Sequence, residues 1–442
     1  MLFRSVVTLN EADGTSFTFV SADSLTLTAA GDITDTASAS ISVVGNADLS
    51  VTNTGTQSIL LGDGAATLNV GSFTVSAFDV TVTEDDTTTF TATNTVAGAL
   101  TVTSAGNVTV TGNNTVTGNA TVDASGTADF SGTNTFSANL GVTATSTTTF
   151  AGTASVAGNL TVTTSGPIVD AAATDLTVTG DAVLNAGSSA ITLGGATDTT
   201  TFGTLAVTGG AVTIAEDDAT VLNGVSATSL DLTSAGTITD GSTTTITVSG
   251  LAKLNAGAND ITIGDDDTVN FGSVDITGGV VTLTEDSDVS IEQLTASSLD
   301  LTAAGNITDT NTASITVTNN ASLAVTTSAT QDITLGDGSA TLNADSFTVT
   351  GNDVALTEAT ATSLVGTNSI TGNLTVDSAG AVDLSGSTTV GGNAQVTAVG
   401  TITDATGTSL AVTGDAVLDA GANTITLGGD VGDITHFGTL NV

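Results

Sequence analysis

Between Leu100 and Asn159 the sequence repeats every twenty residues. Written as three lines, it reads LTVTSAGNVTVTGNNTVTGN, ATVDASGTADFSGTNTFSAN and LGVTATSTTTFAGTASVAGN. Val102, Val122 and Val142 form one column, Val110, Phe130 and Phe150 a second, and Val116, Phe136 and Val156 a third. Gly112, Gly132 and Gly152 also align, as do Asn119, Asn139 and Asn159. A fixed period of this kind belongs to chains that stack one small unit on the next, each burying its neighbour's apolar face. Length then sets the number of units and not the size of one core.

Within a line the local period is two. Leu100 and Val102 point in, while Thr101 and Thr103 point out, which is strand chemistry. Thr and Val are β-branched and suit a pleated surface. Gly, Asn, Asp and Ser punctuate the runs and permit tight turns. The first line places strands near Leu100–Thr103, Asn107–Thr111 and Thr115–Thr117. The expected fold is therefore all-β. It is a parallel β-solenoid with about three short strands and about 20–26 residues per coil. The crossover preference of parallel strands makes it right-handed. Roughly twenty coils, stacked ~4.8 Å apart, give a rod of about 100 Å. One coil cannot stand alone. Ordering each residue costs ~1–2 kcal/mol, and each buried aliphatic returns only about 1.5–3 kcal/mol.

The chain also repeats on a longer scale. Residues 6–119 recur without a gap at 280–393, with Val6-Val7-Thr8-Leu9 falling on Val280-Val281-Thr282-Leu283. Downstream, Gly166 matches Gly400, so the second copy lacks Ala120–Asn159, two whole twenty-residue lines. Losing whole coils leaves every other column in register. A second module, 160–229, recurs at 230–298, and 394–442 is a truncated repeat. Residues 6–442 are thus expected to form a single continuous solenoid. Residues 1–5 (MLFRS) match nothing and read as a fragment edge, and no polar cap is visible at either end. The expectation is an internal piece of a longer protein.

Composition narrows the partners. There are 2 Lys+Arg against 45 Asp+Glu, for a net charge of −43. A chain with no basic patch repels nucleic acid and anionic lipid. It attracts cations, and salt screens its self-repulsion. With no Cys there are no disulfides or thiolate metal sites. No apolar run reaches the ~18 residues of a membrane span, and no signal peptide is visible.

Few side chains suggest chemistry. Asn119, Asn139, Asn159, Asn373 and Asn393 follow Gly or Ala at coil corners and read as an amide ladder or as turn residues. Glu84-Asp85-Asp86, Glu216-Asp217-Asp218, Asp265-Asp266-Asp267 and Glu285-Asp286 are acidic clusters, and Asp35, Asp170, Asp240, Asp309 and Asp404 recur at one module position. Ca²⁺ is the cofactor such carboxylates could take. The Gly-Gly-x-Gly-x-Asp nonapeptide of calcium-loaded β-rolls is absent, so solvated turns and Asx caps are the expected reading. Carboxylate pairs could also hydrolyse glycosides, but there is no Trp or Tyr to stack on a sugar. The only cations are Arg4 and Lys253, Lys253 at an outward position and His436 in a loop. One His and no Cys cannot build a nucleophilic triad or a zinc site. Thr101, Thr121 and Thr161, and Thr103, Thr143 and Thr163, form outward columns of the kind that could order water or ice, interrupted at Gly141 and Asp123. No catalytic, cofactor-binding or metal residue is assigned.

At LTAAGNITDT and LTVTTSGPIVD the pattern resembles filamentous-haemagglutinin-type adhesins and the wider class of bacterial β-strand-repeat surface proteins. The resemblance covers Val6–Val442. It implies a secreted or cell-surface right-handed β-helical shaft, without catalysis, contacting other parts of a long chain and surface glycans or matrix. It departs from the haemagglutinin type in having no recognisable secretion domain, since Pro167 is the only proline. A carbohydrate-active β-helix, or an ice- or calcium-binding solenoid, is the alternative.

Overall fold

The computed structural model describes residues 5–265, 267–429 and 431–442. Among the described residues every regular element is a β-strand, and the paired strands run parallel. Together they make a β-solenoid of about 22 turns. The chain divides into two compact units, Met1–Thr220 and Val221–Val442.

In the first unit the twenty-residue lines are single turns. Leu100–Ser104, Val108–Val110 and Asn113–Val116 are its three strands. They pair with Ala120–Ala124, Ala128–Phe130 and Thr133–Phe136 of the next turn. Val102 lies on Val122, and Val122 on Val142. Burial alternates as the period of two requires, with Leu100, Val102 and Ser104 inside and Thr103 outside. The third strand starts two residues before its expected position because Asn114 turns inward with Val116.

The interior is tightly filled. Phe130 stacks on Phe150 at 5.5 Å between ring centres and meets Phe136 edge-on at 6.4 Å. Asn94, Asn114 and Asn134 form a buried amide ladder. The Asn94 amide donates to Asn114 Oδ1 at 2.7 Å, and the Asn114 amide donates to Asn134 Oδ1 at 2.8 Å. Asn94 Oδ1 accepts the Val75 N–H at 2.8 Å. Each buried amide thus has partners, which removes most of its desolvation cost. The cavity beside this ladder measures about 10 Å³, room for one water at most.

The corners are stapled from outside. Asn119 Oδ1 accepts the Asn139 N–H at 3.3 Å, Asn139 Oδ1 the Asn159 N–H at 2.8 Å, and Asn159 Oδ1 the Asp181 N–H at 2.9 Å. These asparagines are exposed and form an edge ladder, each carboxamide oxygen capping the amide one turn on.

Turn length varies more than the expected 20–26 residues. In the first unit it runs from 17 (Phe73 to Phe90) to 27 (Ser40 to Thr67). Extra residues go into corners, as at Thr52–Ser58, where the Gln57 side chain holds the backbone of Asn53 at 2.9 Å. Some strands run through a corner without a break. Ile33–Val51 spans 19 residues and slips register between Val43 and Asn46. The columns on either side stay intact because the slip is confined to the corner.

The second unit is built the same way. Its turns run from 17 residues (Val274 to Ile291) to 27 (Ser314 to Thr341). Ile307–Val325 spans 19 residues and slips register between Val317 and Asn320. Leu374–Ser378 lies under Ala394–Ala398, one twenty-residue turn apart. Thr362–Ser363, Val382–Asp383, Ile402–Thr403 and Ile425–Thr426 make a separate four-stranded face. The Asn373 and Asn393 corners repeat the external ladder, accepting the Asn393 and Asp415 N–H groups at 2.9 Å. His436 is exposed but lies in the strand Ile434–Asn441, paired with Ala411, and not in a loop.

Candidate functional site

The acidic clusters fit the expected solvated turns and Asx caps only in their exposed aspartates. In the three that contain a glutamate, the glutamate is inside. Glu84, Glu216 and Glu285 are 1–3% exposed, and Glu358 joins them at 2%. The pattern behind this is visible in hindsight: Val80-x-Val82-x-Glu84, Val212-x-Ile214-x-Glu216, Val281-x-Leu283-x-Glu285 and Val354-x-Leu356-x-Glu358 each put the acid on the inward parity. Alternation, more than charge, marks these acids as buried.

Each glutamate does the same work. Its Oε1 accepts a backbone N–H from the turn beneath: Val70 at 2.5 Å, Phe202 at 2.8 Å, Phe271 at 2.7 Å and Ala344 at 2.9 Å. The aspartate that follows faces out and accepts a neighbouring amide, Leu68 to Asp85 at 2.8 Å, Thr200 to Asp217 at 2.7 Å and Val269 to Asp286 at 2.9 Å. In these three the two acids together take alternate amides of one strand, Leu68 and Val70, Thr200 and Phe202, and Val269 and Phe271. The second oxygen, Oε2, is buried in Glu84, Glu285 and Glu358, with the Thr88 hydroxyl beside Glu84 and the Thr362 hydroxyl beside Glu358. In Glu216 it accepts the Thr220 hydroxyl at 2.7 Å. Burial pushes the carboxyls up, Glu84 to about 8 and Glu216 and Glu285 to about 7, and raises Glu358 as well.

The recurrent aspartates staple a different corner. Asp35, Asp170, Asp240, Asp309 and Asp404 each accept, through Oδ2, the N–H of a glycine one turn on: Gly62, Gly194, Gly264, Gly336 and Gly428, at 2.6–2.9 Å. The glycines have φ between 66° and 94°, the left-handed region that a side chain resists. At Gly194 an added Cβ would also lie 1.9 Å from the Ala215 carbonyl oxygen. Aspartate and glycine are therefore one device, positioned by strands that end at the corner.

At one of these corners more acid collects. Asp240, Asp265 and Asp267 bring carboxylate oxygens within 4.8 Å of one another. Asp240 ends the strand Ile238–Asp240, and the other two belong to the corner between Ile261–Ile263 and Thr268–Thr277. Asp266 lies outside the described residues. Asp267 Oδ1 accepts the Thr244 N–H, and its buried Oδ2 has no hydrogen-bond partner. Burial first, then the charge of Asp267, raises Asp240 to about 6. In the sister module Asp170 and Asp198 take the same places, but Gly195 stands where Asp265 does. The trio could hold a hard cation through three oxygens, about half the six to eight that calcium takes, with the rest from water. The sequence offered both halves, the recurrent aspartate and the acidic run, but one turn of chain separates them.

Lys253 is not part of this group. It sits outward between Asp231 and Asp275 in a column, with Nζ 3.7 Å from Asp231 Oδ2. Both side chains are nearly half exposed, so the pair adds little stability. The outward Thr columns stand as expected, Thr101 on Thr121 and Thr143 on Thr163, with Gly141 and Asp123 as interruptions.

The seventy-residue recurrence of buried glutamates and stapled glycines has a counterpart among known sequences. A family described as repeats of unknown function (DUF5649) matches residues 137–208, 209–277, 278–350, 351–401 and 371–441. The chain belongs to this repeat family. No curated protein and no solved structure matches it. The DUF5649 repeats at 209–277 and 278–350 each carry one buried glutamate (Glu216, Glu285) and one Asp–Gly staple (Asp240–Gly264, Asp309–Gly336). Their boundaries differ in phase from modules starting at Leu160 and Leu230, because a solenoid turn has no natural starting point.

Proposed function

We propose that this run of DUF5649 repeats is a non-catalytic spacer, a shaft segment of a secreted or cell-surface bacterial protein that presents other regions of a long chain or contacts surface glycans or matrix weakly over many turns. One observation carries the reading. The second long copy differs from the first by two whole turns, and the pairing around them is unbroken, Leu100 to Ala120 to Leu140 to Leu160 in one and Leu374 to Ala394 to Ala416 in the other. A protein whose task depends on one cleft does not gain or lose turns freely; one whose task is length does. The acidic composition and the adhesin-like repeat style support the extracellular placement.

The carbohydrate-active alternative predicts turnover. A shallow depression of about 460 Å³, lined among others by Asn343, Asp345, Thr360, Ser363 and Asp383, is where a glycan would lie. Incubation with a panel of acidic and neutral polysaccharides is expected to release no reducing ends or unsaturated products. Turnover abolished by Asp345→Asn or Asp383→Asn would replace the spacer reading.

A second reading, cation binding at Asp240, Asp265 and Asp267, is favoured by their convergence and by the unpartnered Oδ2 of Asp267. On this reading millimolar Ca²⁺ raises the melting temperature over that in chelator, and Asp265→Asn removes the rise. An unchanged melting temperature discards it.

A further inference from the structure

One corner of the second unit carries a dipeptide whose two halves can react with each other. Asn223-Gly224 is the only place in the chain where glycine follows asparagine. The pair lies in the strand Thr220–Ser234, between Leu222 and Val225, which are 1% and 3% exposed. Two residues separate these inward positions where simple alternation leaves one, so the strand turns here. Glu292-Gln293 and Thr18-Phe19 hold the same corner in the other copies.

Asn223 is exposed, and among the described residues no hydrogen bond holds its side chain. The ladder asparagines differ on both counts that matter. Oδ1 of Asn119, Asn139, Asn159, Asn373 and Asn393 is tied to an N–H one turn on, and alanine or leucine follows each of them. The Gly241 N–H donates to the Leu222 carbonyl at 2.8 Å, and Val225 pairs with Ile246, so the ladder to the next turn passes over Asn223 and Gly224. Gly224 has φ 127°, and a Cβ built on it would meet nothing closer than 3.9 Å. With no side chain beside it, the Gly224 nitrogen is open to approach and the backbone is free to bend.

We propose that Asn223 is a site of spontaneous modification, at which the Gly224 nitrogen closes on the side-chain carbonyl carbon of Asn223. A bond forms between that nitrogen and that carbon. The carboxamide nitrogen leaves as ammonia, taking up the proton that the Gly224 amide gives up. The product is a five-membered succinimide. Water then adds to one of its two carbonyl carbons and breaks that carbon's bond to the Gly224 nitrogen. Opening at the side-chain carbonyl gives aspartate. Opening at the main-chain carbonyl gives isoaspartate, whose main chain is one atom longer. Water is the only reagent consumed. Either product adds a negative charge to a chain already at −43. Extra main-chain length at a corner leaves the columns on either side in place, so the modified chain is expected to stay folded. The proposal goes beyond the spacer reading, and its failure would leave that reading in place.

Peptide mapping by mass spectrometry tests it on the 442-residue protein, held folded at pH 7.5 and at pH 5, with circular dichroism to follow the fold. The expected result is a gain of one dalton at Asn223 before any other asparagine. The gain is faster at pH 7.5, because the attacking nitrogen must lose its proton. Part of the product is expected to resist a protease that cuts before aspartate, which marks it as isoaspartate. Asn223→Gln keeps Gly224 and is expected to lose the gain, because its longer side chain must close a larger ring. A folded chain that keeps Asn223 unchanged while the excised segment converts overturns the proposal. So does conversion that begins at another asparagine.

Discussion

Replacing Phe130 by alanine is expected to cost about 3–5 kcal/mol, the range for emptying an aromatic site in a packed core. Phe130 lies on Val110 and under Phe150, and Phe136 closes its edge. It is 1% exposed and has rings on two sides, so the space it leaves cannot be filled by a small shift of one neighbour. Phe130→Asp is expected to be worse, because it also buries a charge with no partner. Thr115→Ala, on the outward parity of a strand one turn away, is expected to change stability by no more than about 0.5 kcal/mol. Urea unfolding followed by circular dichroism compares the three. A Phe130→Ala chain as stable as Thr115→Ala would mean that the aromatic column does not hold these turns together.

The second large effect is on pH. The unfolded chain releases the Glu84 proton near 4.5, whereas burial lets the folded chain keep it to about 8. For Glu216 and Glu285 the folded value is about 7, and Glu358 shifts in the same direction. Between these limits the folded state binds more protons than the unfolded one, so stability falls as pH rises. The contribution is complete below about 4.5 and is lost as pH climbs through about 7 to 8. The melting temperature is expected to drop by several degrees between pH 5 and pH 9. The fourfold variant Glu84→Gln, Glu216→Gln, Glu285→Gln, Glu358→Gln should flatten the profile. Glutamine keeps the carbonyl oxygen that holds Val70, Phe202, Phe271 and Ala344, but has no proton to lose. A wild-type profile that is flat over this range, or a slope above pH 6 that the fourfold change does not reduce, would show that these carboxyls do not titrate as their burial dictates; below pH 6 the raised Asp240 still contributes.

The architecture was readable because it depends on two periods that write themselves into side-chain type. The twenty-residue columns put Val102 on Val122 and Phe130 on Phe150, and the alternation within a strand put Thr103 outside. What the sequence obscured were polar residues on the inward parity. Asn114 looks like a turn residue beside Asn113, and Glu84 looks like surface charge beside Asp85 and Asp86. Each is buried because a backbone amide or another carboxamide one turn away needs its oxygen, and that need is not visible in the residue itself. The meeting of Asp240 with Asp265 and Asp267 was hidden for another reason. It depends on the length of one corner, and corners absorb the variation in turn length, from 17 to 27 residues in the second unit.

The first unit is expected to tolerate shortening by whole turns and only by whole turns. The chain has no cysteine, so Thr93→Cys and Thr199→Cys place two spin labels uniquely. Both sites are exposed and lie in one column, Thr93, Asn113, Thr133, Thr153, Asp175 and Thr199. Five turn spacings separate them, about 24 Å at ~4.8 Å per turn. Deleting Ala120–Asn159 removes two turns and is expected to give a folded protein with Asn113 directly beside Asp175 and a narrow label distance of about 14 Å. Deleting residues 120–149, one and a half turns, is expected to scramble the columns and leave no defined distance. Equal behaviour of the two deletions, or an unchanged distance after the first, would contradict the account.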